Sequence, residues 1–191
     1  KNVTADLLFE IGTEEIPASY ILPALEQLEK HSVQRLKENR IEFGQIRTLG
    51  TPRRLMLSIK DIATMQSDRS AEIIGPPKRV AYDENGNPTK AAIGFARNQG
   101  VSVDSLKIVG TERGEYVCAQ KLEKGRPTIE ILQEMLPSLI TSLIFPKMMR
   151  WDNLRFARPI RWIAALFGDE VVDFQLDTIF SDRQTYGHRA L

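Results

Sequence analysis

The chain has 191 residues, of which 42% are hydrophobic and 27% charged, a composition typical of a soluble globular protein. Its length predicts one large domain or two small ones with a buried core. Because 26 lysines and arginines balance 25 acidic residues, overall charge gives no indication of nucleic-acid binding, and any such signal must be local. A single cysteine excludes an internal disulfide, and no apolar run approaches the roughly 20 residues that cross a bilayer.

The chain carries few of the residues that metal or nucleotide chemistry needs. Two histidines and one cysteine are too few for an ordinary structural zinc site. The glycine-rich loops that bind phosphates and the Gly-x-Ser-x-Gly turn of hydrolases are missing from the sequence. Glu14 and Glu15 could act as the acid and base of a small hydrolase, but adjacent residues rarely converge on one substrate. The hypothesis of a small hydrolase is therefore the weaker one, because a position at the start of a helix explains both acids better.

The N-terminal third alternates between strand and helix patterns. Apolar residues at every second position of Ala5–Ile11 predict a strand. Gly12–Pro17 predicts a turn into an amphipathic helix that reaches about Asn39. Strands are predicted at Gln45–Leu49 and Leu55–Ile62, with a link at Thr51–Arg54.

Turn-forming residues mark the next segment. Gly75–Pro77 is predicted to end an extended stretch, since proline lacks the donor of a strand ladder. Asn85-Gly86 predicts a tight turn. A short helix is predicted over Lys90–Asn98, with Thr89 as its N-cap and Gly100 at its end.

A hairpin and a second apolar helix are predicted next. Leu106–Val109 and Tyr116–Leu122 form the predicted hairpin, in which Cys118 is expected to be a small buried residue rather than a nucleophile. Ile129–Leu143 has the apolar periodicity of a helix, which Pro137 is expected to kink or divide.

The end of the chain, Trp162–Phe167 and Val172–Phe180, predicts another hairpin. Strands thus follow one another directly more often than they alternate with helices. The fold class predicted is α+β, a mostly antiparallel sheet with two longer amphipathic helices and one or more short ones. The region near residues 75–100 is the expected subdivision.

A basic and aromatic segment lies between residues 147 and 162. It contains one acid, Asp152, and five cations with three aromatic residues between them: Lys147, Arg150, Arg155, Arg158 and Arg161, with Trp151, Phe156 and Trp162. Guanidinium groups fork onto phosphate oxygens, and aromatic faces accept unpaired bases, so this mixture favours RNA binding. The alternative is an amphipathic surface on which the arginines cover tryptophans of the core.

Two further pairs of residues are candidates for phosphate contact. Arg53 and Arg54 follow Pro52 at a strand entrance, where arginines either bridge carboxylates inside the domain or bind RNA. His188 and Arg189 either bind phosphate or form a hydrogen-bonded turn.

Several motifs together resemble one family. In chain order they are Leu7–Pro17, Gly50–Leu55, Gly75–Pro77, Gly86–Arg97, Met149–Trp151, Phe156–Trp162 and Gly187–Arg189. Their order resembles the N-terminal part of the bacterial glycyl-tRNA synthetase beta subunit, from about Leu7 to Arg189. The family usually follows Gly-His-Arg with Phe, whereas Ala190 and Leu191 follow here.

The resemblance implies a role in a heterotetrameric glycine-tRNA ligase of the cytoplasm. In that family the alpha subunit carries the class II catalytic domain, which uses ATP with Mg²⁺, and the beta subunit binds tRNA(Gly). The HD-like and anticodon-binding domains lie downstream of this region, so the chain is expected to be a fragment without catalytic, cofactor or metal residues, inactive alone. Its expected partners are the alpha subunit and tRNA(Gly), with no membrane. The alternative is a purely structural or assembly domain without RNA contact.

Overall fold

The computed structural model describes residues 3–151 and 153–185, with the backbone alone at Trp151. The chain divides into two compact units. The larger comprises the chain up to Ser67 and from Arg126 onward, and the smaller is Asp68–Gly125. The subdivision expected near residues 75–100 therefore falls inside the smaller unit.

The described residues form the following elements. The strands are β1 (Thr4–Thr13), β2 (Ile46–Thr51), β3 (Arg54–Ala63), β4 (Arg69–Pro77), β5 (Lys107–Thr111), β6 (Gly114–Glu123), β7 (Met149–Trp151), β8 (Leu154–Phe156), β9 (Ile160–Phe167), β10 (Glu170–Val171), β11 (Gln175–Leu176) and β12 (Ile179–Asp182). The helices are α1 (Ala18–Glu38), α2 (Lys78–Ala81), α3 (Lys90–Gln99) and α4 (Thr128–Ser142), with a 3-10 turn at Val103–Ser105. The predicted α+β class with mostly antiparallel pairing is confirmed.

The larger unit is built on a sheet whose central strand is β1. The strand order is β11-β12-β9-β1-β3-β2, and β10 pairs with β9. β1 is antiparallel to both β3 and β9. One face of the sheet is apolar because every second residue of these strands is buried, and α1 and α4 pack into the same core. Its buried side chains include Leu7, Phe9, Ile11, Leu55, Leu57, Ile59, Leu28, Leu36, Leu132 and Leu136.

Of the two effects predicted for Pro137, a kink or a division of the second long helix, the division does not occur. α4 runs without interruption from Thr128 to Ser142, with Pro137 inside it. Proline removes one backbone donor, and the carbonyl that loses its partner is that of Gln133. Gln133 is exposed, so water can satisfy that carbonyl. No helix among residues 3–151 and 153–185 is long and apolar enough to cross a membrane.

The predicted last hairpin is only half right. β10 returns against β9 as expected, but the stretch Val172–Phe180 is not one strand. The chain turns at Asp177, whose φ of 55° lies in the left-handed region that aspartate tolerates. β12 then runs parallel to β9, and Phe180 is 68% exposed rather than buried.

The smaller unit has a three-stranded antiparallel sheet in the order β4-β6-β5. Its core contains Ala81, Ala92, Ala96, Leu106, Val117 and Ala119. β4 ends within the predicted stop, at Pro77, but it includes Gly75 and both prolines, because β4 is an edge strand and its prolines need no partner on the open side. A register shift between Ile74 and Pro77 accommodates them.

Two local predictions for this unit have mixed outcomes. α3 forms as predicted, and Gly100 ends it with a φ of 70°. Thr89 occupies the N-cap position as predicted, but its side chain makes no capping hydrogen bond, because its hydroxyl donates to the carbonyls of Val80 and Ala81 instead. The tight turn at Gly86 is present, with a φ of 80°.

Cys118 is buried in β6, as predicted. Its Sγ lies 3.2 Å from Oε1 of Glu72, to which it donates. Burial raises the pKa of the Cys118 thiol, and the hydrogen bond to Glu72 raises it further. A thiol with a raised pKa forms little thiolate, so this residue is a poor nucleophile.

The chain leaves and re-enters the larger unit at one point. The Gln66 N–H donates to the carbonyl of Arg126 at 2.9 Å, and the Arg126 N–H donates to Oε1 of Gln66 at 3.2 Å. On the other side of this neck, the Gly125 N–H donates to Oδ1 of Asp68 at 2.7 Å. The segments that flank the smaller unit are therefore pinned to each other.

A histidine contact joins the two long helices of the larger unit. Nδ1 of His31 lies 2.8 Å from Oγ of Ser142. Because that hydroxyl donates to the carbonyl of Leu139, we assign the proton between them to the histidine. Burial lowers the pKa of His31, and the charges of Arg35 and Lys30 lower it further.

We expect this histidine to make the protein less stable in mild acid. Since its folded pKa lies below the unfolded value near 6.5, the unfolded chain binds more protons and the free energy of unfolding falls as pH decreases below that value. Thermal melts of the wild type and His31→Gln between pH 7.5 and 5.5 test this. The variant should show the flatter pH dependence, and equal slopes would contradict the prediction.

Candidate nucleic-acid interface

The centre of the basic segment is a small antiparallel hairpin formed by β7 and β8. Its register pairs Met149 with Phe156, Arg150 with Arg155, and Trp151 with Leu154. Successive side chains of a strand point to opposite faces. Accordingly Leu154 and Phe156 are buried, whereas Arg150 and Arg155 are exposed.

Aromatic packing fixes this hairpin on the core. The Phe156 ring meets the Phe145 ring edge to face, with centroids 4.8 Å apart and an interplanar angle of 71°. The centroid of the Tyr20 ring of α1 lies 6.2 Å from that of the Phe145 ring. Such contacts add to the burial of the rings themselves, so the hairpin has a rigid base.

Arg150 and Arg155 face each other across the two strands. Directly opposite residues have Cβ atoms about 4.5–5.5 Å apart and lie on the same face, and like charges in this arrangement repel. No ion pair within the described ranges involves either guanidinium. An anion placed between the two would relieve the repulsion and accept hydrogen bonds from both.

Lys147 and Arg158 flank this pair in different ways. Lys147 is exposed. Arg158 is half-buried, and its Nη1 donates to the carbonyl of Ala157 at 2.7 Å and lies 3.8 Å from Sδ of Met149. Arg158 therefore supports the hairpin as well as adding charge to it.

Arg161, the last cation of the segment, has a carboxylate partner. It forms an ion pair with Glu14, and both side chains are largely exposed. The Glu14 N–H donates to the carbonyl of Pro159 at 3.0 Å. Glu14 thus connects the turn before α1 to β9. The sequence had suggested that Glu14 and Glu15 belong to the start of the helix, but α1 begins at Ala18 and both acids precede its first turn.

The strongest polar cluster was missed by the sequence analysis. Glu10 of β1 is only 1% exposed. Its Oε1 accepts a hydrogen bond from Nη1 of Arg54 at 3.1 Å, and its Oε2 accepts one from Nε1 of Trp162 at 2.8 Å. Gly12, two residues along β1, pairs with Arg54 on one side and Trp162 on the other. The register of the three strands therefore brings together the Glu10 carboxylate, the Arg54 guanidinium and the Trp162 indole.

Gly12 makes room for the tryptophan in this cluster. A Cβ at that position would overlap the six-membered ring of Trp162. Trp162 thus lies over the backbone of β1, half-buried, rather than standing out as a stacking platform. The interpretation of Arg54 as an internal carboxylate bridge is confirmed.

Of the remaining candidate residues from the sequence, the structure describes some and not others. The side chain of Arg53 is exposed, and its backbone carbonyl accepts the Thr13 N–H at 2.8 Å. His188, Arg189 and the Trp151 side chain lie outside the described residues. The residues that the fold brings together with outward charge are therefore Arg150 and Arg155, with Lys147 and Arg158 beside them. Within the described ranges, no group of three or more metal-ligating side chains is present.

An α+β unit with an exposed arginine hairpin defines a candidate surface for a polyanion, and comparison with known proteins gives the family. The sequence model of the family described as "Glycyl-tRNA synthetase beta subunit" matches residues 7–191. The chain belongs to this family.

Curated relatives agree with that assignment. The chain is 53% identical over 188 residues to a glycine–tRNA ligase beta subunit of Desulforamulus reducens, and 50% identical over 186 residues to that of Syntrophus aciditrophicus. A third, from Moorella thermoacetica, is 50% identical over 188 residues. These matches cover 96–97% of this chain but only 27% of each relative.

We expect the Glu10 cluster to stabilise the larger unit. Arg54→Met leaves a buried carboxylate without its charged partner, and removing one member of a buried pair costs about 3–5 kcal/mol. Trp162→Ala should also lower the free energy of unfolding by roughly 3–5 kcal/mol, since it removes a large packed ring. Urea unfolding followed by circular dichroism measures both. The matched control is Arg53→Met, which should change stability little, and wild-type midpoints for all three would show that the cluster is not structural.

Proposed function

We propose that this chain is the N-terminal part of the beta subunit of a cytoplasmic glycine-tRNA ligase and that its β7–β8 hairpin contacts tRNA(Gly). The alpha subunit would carry out the ATP-dependent glycylation, and this chain would hold the RNA backbone. The observation that carries the proposal is the opposed, exposed pair Arg150 and Arg155 on a hairpin whose Leu154 and Phe156 are buried on the other face.

The chemistry of this surface suits phosphate better than a protein carboxylate. Each guanidinium has a planar set of donors that matches two phosphate oxygens. A polyanion also satisfies several cations at once, and Lys147 and Arg158 adjoin the central pair. Contacts of this kind give affinity without reading bases, so the hairpin would position the tRNA and leave its identity to be read elsewhere.

A second role as an assembly surface has support from two exposed apolar residues. Ile144, which precedes the basic segment, is 70% exposed, and Met149, which lies within the segment, is 47% exposed. An alpha subunit that docked there would bury apolar side chains, and its affinity would depend little on salt. This alternative predicts that Ile144→Ser, rather than loss of the arginines, weakens the complex between the subunits.

We expect Arg150→Gln/Arg155→Gln in the complete ligase to weaken tRNA binding and flatten its salt dependence. Each lost phosphate contact lowers the logarithmic salt slope by somewhat under one unit, so the double variant should lose between about one and two units. Binding isotherms at several salt concentrations, with melting temperatures of the same proteins, provide the measurement.

The matched control for this experiment is Lys37→Gln/Lys60→Gln, which removes the same charge from exposed positions outside the hairpin. It should retain the slope of the wild type. Arg158→Gln should lower both the slope and the melting temperature slightly, because Arg158 also holds the Ala157 carbonyl. A destabilised Arg150→Gln/Arg155→Gln protein with an unchanged slope would overturn the RNA proposal.

We also expect the 191-residue chain alone to show no glycine-dependent exchange between ATP and pyrophosphate, because its sequence contains no nucleotide-binding loop of the usual kinds. The same hairpin substitutions in the complete ligase should leave glycine activation intact, since the proposed contact is to tRNA. Exchange by the isolated chain would contradict this division of labour.

A further inference from the structure

The smaller unit contains a cleft that the proposed function does not use. It has a volume of about 520 Å³ and is lined by the segment that follows β4 and by the turn between β5 and β6. The side chains that matter for its chemistry are Lys78, Arg79, Tyr82, Asp83, Arg113 and Glu115. Ligand pockets commonly have volumes of about 300–1,000 Å³, so this cleft can hold a small molecule or one residue of a polymer.

Both acids of the cleft already have partners. Glu115 forms an ion pair with Nζ of Lys78 at 3.2 Å. Oδ1 of Asp83 accepts the N–H groups of Asn85 at 2.9 Å and Asn87 at 2.8 Å. Backbone donors offset part of the charge of Asp83, since a hydrogen bond to a carboxylate disperses its charge.

The two arginines of the cleft remain available to a ligand. In the part of the chain that the structure describes, the guanidinium groups of Arg79 and Arg113 make no ion pair and no hydrogen bond. Both are exposed and line the same cleft from different segments. Two guanidinium groups that line one cleft, neither of them paired with a carboxylate, favour an anion with several oxygens, such as a phosphate.

Tyr82 adds an aromatic surface beside these arginines. It follows α2, is half-buried, and packs against the core formed by Ala81, Ala92 and Ala96. Packing on that core limits the motion of the ring. A fixed aromatic ring next to cationic groups is the combination by which proteins bind unpaired bases, because every base offers a face for stacking.

We propose that this cleft binds one unpaired nucleotide, with its phosphate on Arg79 and Arg113 and its base against Tyr82. A duplex does not fit, because its bases are stacked on one another and the deep groove of A-form RNA is closed to side chains. An apolar ligand does not fit either, because its burial would strip water from the five charged side chains of the cleft without replacing it. The proposal is independent of the hairpin, since all its residues belong to the smaller unit.

The same chemistry has two sources, a free mononucleotide or a nucleotide within single-stranded RNA. Titration of the 191-residue chain with each of AMP, GMP, CMP and UMP tests the first, and titration with eight-residue oligoribonucleotides tests the second. The same oligonucleotide in a duplex and inorganic phosphate complete the set of probes. We expect single-stranded RNA to bind tightest, the mononucleotides more weakly, and the duplex and phosphate weakest.

Variants separate the two contacts. Arg79→Gln/Arg113→Gln should weaken the binding of the mononucleotides and of the single-stranded oligoribonucleotides at least tenfold, and should lower the salt dependence of that binding. Tyr82→Leu should weaken it roughly tenfold without altering the salt slope, in line with the known cost of removing a stacking ring. The matched control is Arg97→Gln/Lys121→Gln, which removes the same charge from exposed positions of this unit outside the cleft and should change nothing.

Chemical-shift mapping of the wild-type chain with AMP keeps the test decisive if Tyr82→Leu fails to fold. The shifted amides should lie around Tyr82, Arg79 and Arg113. Equal affinity for AMP and phosphate, an equal loss in the control variant, or shifts elsewhere would each overturn the proposal. Arg150→Gln/Arg155→Gln should leave AMP binding unchanged, so the failure of one proposal is distinguishable from failure of the other.

Discussion

The buried carboxylate of Glu10 fixes the register of the strands on which the larger unit is built. It takes one hydrogen bond from β3 through Arg54 and one from β9 through Trp162. A shift of either strand by one residue would turn its donor to the opposite face and leave the charge unsatisfied in the interior. Apolar burial stabilises this sheet, but apolar residues at alternate positions would pack nearly as well in a neighbouring register of the same parity. The carboxylate is what makes one register much better than the others.

Four arginines of the larger unit show how position decides the use of one residue type. Arg54 enters the Glu10 cluster and Arg161 pairs with Glu14, so both contribute to the fold itself. Arg150 and Arg155 carry the same group, but strand alternation turns them outward while Leu154 and Phe156 hold the hairpin on the core. The difference is set by the register partners. β1 presents an acid near Arg54, whereas the register partner of Arg150 is another arginine.

Periodicity predicted those elements whose side chains meet the core on one face, and it failed where an isolated residue changes the chain direction. β1, β3, α1 and the β5–β6 hairpin were recognisable because their apolar positions recur at the period of a strand or helix. The turn at Asp177 was not, since the alternation from Val172 to Phe180 continues through it. The prolines of β4 suggested a stop before Gly75, whereas the strand continues to Pro77, because only the sheet shows that β4 is an edge strand.

Of the candidate sites, too, some could be recognised from the sequence and others could not. The arginine-rich segment was visible because its members are close in sequence, and the arrangement of Arg150 opposite Arg155 followed from pairing. The Glu10 cluster and the cleft at Tyr82 could not be found, because their members are up to 152 residues apart in the first and come from separate segments in the second. Nothing local marks Glu10, which occupies a strand position where an exposed acid would be ordinary.

The pinned neck at Gln66 and Arg126 has a consequence for how the chain can change. The larger unit is assembled from two pieces of sequence whose inner ends are hydrogen-bonded to each other, and the two ends of the smaller unit are joined by the hydrogen bond between Gly125 and Asp68. Insertions, deletions or exchange of the 58-residue stretch between them need not disturb the outer fold. The cleft and the arginine hairpin belong to different units of one chain, so each can accumulate substitutions at its own rate.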